Sequence, residues 1–78
     1  MADQAIHYSM LIRWSDEDQL FLVSLPEWEG ELSNWDSATH GDSYEAAAAN
    51  GHEVLTMLIE HNLETGRSLP EPRVIVAA

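Results

Sequence analysis

The stretch opening at Asp42 and closing at Gly66 most limits what this chain can fold into. Asp42 offers an N-cap with Glu45 at N3, a capping-box-like arrangement, and the residues from Ser43 onward are rich in Ala, Leu and Met until Gly66 supplies a C′ stop. The pattern predicts a helix running to about Thr65. At about 100° per residue, Tyr44, Ala47, Ala48, Gly51, Val54, Leu55, Leu58 and Ile59 share one stripe, with Glu53, Glu60 and Glu64 roughly opposite. A helix with one apolar stripe must lay it on a second layer. The small residues in its first half, with Gly51 at the centre of the stripe, imply close approach there, while Leu55, Leu58 and Ile59 fill a wider gap lower down.

The second layer is written upstream. In residues 6–14, Ile6, Tyr8, Met10, Ile12 and Trp14 alternate with His7, Ser9, Leu11 and Arg13, the period of two that marks a strand with one buried face. Ser15, Asp16, Glu17 and Asp18 form a polar turn. Residues 20–25 then run apolar on both parities until Pro26 ends them, completing a hairpin. Residues 26–41 have no clean period, with Trp28, Leu32, Trp35 and Ala38 spaced by polar residues, and a third strand is expected to end near His40. Beyond Gly66, a turn with two prolines leads to Val74, Ile75 and Val76, a final short strand in the same sheet. The expected fold class is therefore α+β, one antiparallel-rich sheet carrying one long helix. It forms a single domain over residues 1–78, of which 1–5 are expected to be flexible.

A chain of 78 residues buries only about 60% of its unfolded surface, so its core is marginal and self-association is a natural remedy. It contains no cysteine, which removes disulfides, thiolate metal sites and thiol nucleophiles and suits a reduced compartment. No basic leader opens the chain, and its apolar runs are too short to span a bilayer, so a soluble cytoplasmic protein is expected. Fourteen acidic residues face three Arg and no Lys, for a net charge of −11. Such a surface repels phosphate and gains nothing from counterion release, which argues against direct nucleic-acid binding and in favour of a basic protein partner.

Four segments, in order, resemble the HicB-like antitoxin domain: Ile12-Arg13-Trp14-Ser15-Asp16-Glu17-Asp18, Val23-Ser24-Leu25-Pro26-Glu27, Gly41-Asp42-Ser43-Tyr44-Glu45-Ala46 and Gly66-Arg67-Ser68-Leu69-Pro70-Glu71-Pro72. The resemblance implies a β-β-β-α-β fold like a truncated RNase H domain. It also implies an antitoxin that binds and occludes a small basic HicA-type mRNA interferase. Family antitoxins often add a C-terminal DNA-binding domain; none fits before Ala78, so operator binding is not carried over. A second departure is the segment between Gly30 and Gly41, which is longer than is usual in the family.

Candidate chemistry is sparse. Asp16, Glu17, Asp18 and Asp42 invite a two-metal nuclease reading, but a run of acids between strands is more commonly a solvated hairpin tip. His52 and His61 lie nine residues apart, on opposite sides of a helix, so they cannot share an ion, and no His-Glu-x-x-His or nucleophile-elbow pattern occurs. No catalytic residue, cofactor or metal is therefore expected. Trp14, on the alternating face, is expected in the core. Trp28 and Trp35 are either interface anchors or fold back over the sheet edge. Met57 projects off the apolar stripe, and Glu53, Glu60 and Glu64 form an acidic ridge, so the candidate partner-binding residues are Trp28, Trp35, Glu53, Met57, Glu60 and Glu64. The expected function is that of a non-catalytic antitoxin-like protein, a homo-oligomer (dimer or tetramer) joined through a sheet edge or the tryptophan segment, that neutralises a HicA-like toxin. The alternative is an orphan self-associating regulatory or scaffold module without a toxin.

Overall fold

The computed structural model describes residues 7–32 and 37–75. Three strands, β1 (Leu11–Ser15), β2 (Leu20–Ser24) and β3 (Thr39–Gly41), form one antiparallel sheet in the order β1-β2-β3, and one long helix, α1 (Tyr44–Thr65), packs on it. This is the expected α+β arrangement of sheet and helix. The first hairpin pairs Ile12 with Val23 and Trp14 with Phe21, and β3 pairs Thr39 with Val23 and Gly41 with Phe21. Side chains alternate across a strand, so Ile12, Val23 and Thr39 share the face toward α1, and their neighbours point away.

The helix lies so close to β3 that a side chain cannot fit between them at Gly41. A Cβ there would stand 2.7 Å from the Ala47 Cα, against backbone that cannot move aside. At Gly51 the same construction meets the Met10 sulfur at 2.7 Å and a Val23 methyl carbon at 3.1 Å. The close approach expected of the small-residue half of α1 is thus present. Ala47, Gly51, Leu55, Ile59 and Asn62 form its buried stripe, with Val54 and Leu58 half-buried beside it. They close over Tyr8, Val23, Leu25 and Trp28. Full burial of Trp28, Leu25, Leu55 and Val23 stabilises the domain by about 1.5–3 kcal/mol each.

Several sequence expectations are corrected. The helix is capped by Ser43, not Asp42: Ser43 is extended and its Oγ accepts from the Ala46 amide at 3.0 Å, which places Glu45 at N2 rather than N3. Gly66 ends the helix as expected, at φ 76°, and the Arg67 amide donates to the Asn62 carbonyl at 2.8 Å. Tyr44 and Ala48, placed on the buried stripe, are exposed. Strand β1 starts at Leu11 because β2 offers partners only as far as Ser24; the Ser9 amide turns instead to the Glu27 carboxylate. Trp14 is 49% exposed, since β1 is the outer strand and α1 sits over β2 and β3. Its ring meets Phe21 edge-on at 5.0 Å, and its Nε1 donates to Asp16 at 2.8 Å.

The final strand does not form among the described residues. Residues 71–75 join no ladder, and Ile75 is 100% exposed. The Arg73 amide donates to a side chain, Glu27, rather than to a strand. Expectations for residues 1–5, Ile6, Trp35 and Val76 lie outside the described residues.

Candidate functional site

Helical spacing places Glu53, Met57, Glu60 and Glu64 at i, i+4, i+7 and i+11, within about 60° of one another. All four are exposed, Met57 at 61%, on the side of α1 turned from the sheet. The arrangement works against the helix that carries it. The C-terminal end of a helix carries partial negative charge, Glu60 and Glu64 stand there, and no basic residue occupies the last turn. Their i, i+4 repulsion adds a few tenths of a kcal/mol. A cation brought to this stripe relieves both terms, and Met57 gives it an adaptable apolar centre.

Trp28, expected either as an interface anchor or folded back over the sheet edge, is not an anchor at the surface. It is fully buried, meeting Tyr8 edge-on at 5.3 Å, because the short 3-10 turn Pro26–Trp28 folds the chain back under the sheet and swings the ring into the core. Its Nε1 has no hydrogen-bond partner among the described residues.

A second polar constellation surrounds Glu27, next to Trp28, where sequence reasoning assigned nothing. The Glu27 carboxylate accepts the Ser9 amide at 3.0 and 3.1 Å, the Ser9 hydroxyl at 3.0 Å and the Arg73 amide at 2.8 Å. Burial by itself would raise its pKa, but the bonds from Arg73, its own backbone and Ser9 outweigh burial and hold the carboxyl below its ordinary value. Alongside, the Tyr8 hydroxyl donates to the Pro70 carbonyl at 2.7 Å; burial, then the charges of Glu27 and Glu71, raise its pKa and keep it protonated. Asn62, a polar residue on the buried stripe, donates to Glu31 at 3.0 Å. An open cleft of about 220 Å³ lined by His7, Tyr8 and residues 69–72 adjoins this clasp. It is smaller than the roughly 300–1,000 Å³ typical of ligand sites.

Asp16 and Asp18 are engaged in the hairpin turn, Asp16 by Trp14 and Asp18 by the Ser15 hydroxyl at 3.1 Å. Among the described residues, no three His, Asp or Glu side chains are grouped so as to hold a metal ion, and no helix is long and apolar enough to cross a membrane. Comparison with protein-family models, curated proteins and solved structures finds no match.

Proposed function

We propose that this chain is a non-catalytic protein-binding module of HicB-like antitoxin type, which covers a small basic HicA-type ribonuclease with the outward stripe of α1. The carrying observation is that Glu53, Met57, Glu60 and Glu64 fall on one exposed stripe whose charge opposes the helix dipole and has no cation of its own in the last turn. The order of three antiparallel strands and one long helix is compatible with the truncated RNase H-like fold that the sequence resemblance implies. The net charge of −11 favours attraction of a basic partner over nucleic acid.

The test is capture from the native lysate at low and then high salt, followed by affinity measurement with the Glu53→Lys/Glu60→Lys/Glu64→Lys variant. A small basic ribonuclease, inhibited on binding, released by salt and lost with the triple reversal, supports the reading. Capture that survives the reversal removes the stripe. A protein that holds nothing points to the orphan module.

A further inference from the structure

Three aromatic rings form a ledge at the hairpin end of the domain. Trp14 and Phe21 are partners across β1 and β2, on the face toward α1, and Tyr44 is the first residue of α1. The Phe21 ring meets both of the others: its centroid lies 5.0 Å from that of Trp14, edge-on, and 4.3 Å from that of Tyr44, tilted by 34°. Phe21 packs against the core, but Trp14 and Tyr44 do not join it. Tyr44 is 66% exposed and Trp14 half exposed, so both rings present a side to solvent.

The exposed indole is held in place by a charge. Its Nε1 donates to the Asp16 carboxylate at 2.8 Å, a bond that uses one of the two Asp16 oxygens, and Glu17 and Asp18 stand in the same turn. A ring ordered in advance loses less freedom when a partner stacks on it. An anion on the indole N–H also makes the ring face more negative, which strengthens its attraction for a cation. Aromatic faces beside carboxylates suit a guanidinium best, because it stacks on a ring and hydrogen-bonds to a carboxylate at once. The arginines of this chain lie elsewhere. Arg13 points to the opposite face of the sheet, Arg67 follows the far end of α1 with Glu31 at 4.0 Å, and the Arg73 amide is tied to Glu27.

We propose that the ledge of Trp14, Phe21 and Tyr44 binds an arginine side chain presented by a protein partner, its guanidinium stacked on the Trp14 indole and donating to Asp16. Lysine is the poorer fit, because its ammonium is more strongly hydrated and cannot stack. Tyr44 stands about half a turn of azimuth from Glu53 on α1, so the ledge and the outward acidic stripe are separate surfaces. The proposal does not depend on what that stripe binds.

Heteronuclear NMR of the isotope-labelled protein, titrated at physiological salt with acetyl-Gly-Arg-Gly-amide or its Lys counterpart, tests the proposal, with circular dichroism to confirm folding of each variant. The Arg peptide is expected to shift the amides of Ser15, Asp16, Phe21 and Tyr44 and to bind at least about 5-fold more tightly than the Lys peptide. Trp14→Ala should remove the saturable shifts, while Asp16→Asn and Tyr44→Ala should each weaken binding about 3-fold. The Glu53→Lys/Glu60→Lys/Glu64→Lys variant should keep its affinity within about 2-fold, since those charges lie outside the ledge and are screened. If Trp14→Ala fails to fold, Tyr44→Ala, at an exposed position, decides. A peptide that shifts nothing, shifts centred on residues 53–64, equal affinity for the two peptides, or affinity unchanged in the folded ledge variants overturns it.

Discussion

The two outward sides of this molecule differ in almost every physical respect. On α1 a buried stripe suffices to dock the helix, so the remaining surface is free to be polar, and the side opposite the sheet carries Glu53, Glu60 and Glu64 around Met57. A strand has only two faces. Once Ile12 and Val23 are committed to the core, the alternate positions still favour residues that suit a pleated sheet, and here they are Leu11, Leu20 and Leu22 with Arg13 and His40 at the edges. Glu53, Glu60 and Glu64 thus stand on the helix side, and the uncovered apolar surface lies on the sheet side.

The severest way to break this contrast is to part the layers that hold the two sides back to back. Gly41→Ala puts a methyl group into the Ala46 and Ala47 backbone, which cannot yield, and should cost about 3 kcal/mol or more. Thermal unfolding should show a fall of at least about 12 °C, with partner binding lost as well. The triple charge reversal sharpens the contrast instead: partner affinity should fall about 100-fold, or about 2.7 kcal/mol, while circular dichroism shows the sheet and helix intact. Affinity that is unchanged in a folded variant would mean that the helix side is not the binding side.

Glu27→Gln is expected to cost about 1 kcal/mol, measured by urea titration at neutral pH, because a neutral amide cannot accept all the donors that converge on the carboxylate. The pH dependence follows from its lowered folded-state pKa. The Glu27 contribution is present above the ordinary value of 4.5 and is lost as pH falls through the folded value below it, so the wild-type advantage over Glu27→Gln should shrink in acid. An advantage that grew in acid would contradict the clasp. The smallest effect is expected at Gly51→Ala, where the atoms met under 3.0 Å are the flexible end of Met10, the Val23 methyl carbon at 3.1 Å need give only slightly, and the gain in helix propensity, up to about 1 kcal/mol, offsets the crowding. Calorimetry should find its melting temperature within about 4 °C of the wild type.

The contrast between these two glycines also marks how much of the fold was legible in the sequence. The α1 periodicity identified Gly51 as a contact point and the outward acidic stripe, since both follow from a regular 3.6-residue repeat. Gly41 lies just beyond an aperiodic stretch, and its closeness to Ala47 arises from tertiary docking that no local pattern encodes. Trp14, expected in the core, is half exposed, and Trp28, left between an interface anchor and a ring folded back over the sheet edge, is fully buried, for a related reason. Alternation gives the side of a strand but not whether the helix reaches that far, and the turn Pro26–Trp28 rotates an apparently polar segment into the core. The final strand was inferred from the β propensity of Val74 and Ile75, but propensity does not supply a ladder partner. Glu27, following Pro26 with no periodic context, carried no signal at all.

Glu27 has a topological consequence as well. By accepting amides from Ser9 and Arg73, it closes nearly the whole chain into a ring without a covalent bond, in a protein that has no cysteine with which to make one. In the unfolded chain those two residues are far apart. Holding them side by side opposes the loop-closure entropy that would separate them. A peptide linker bridging these neighbouring segments would take over that role, so a circularised or permuted chain should keep the sheet and helix in place even after Glu27 is replaced.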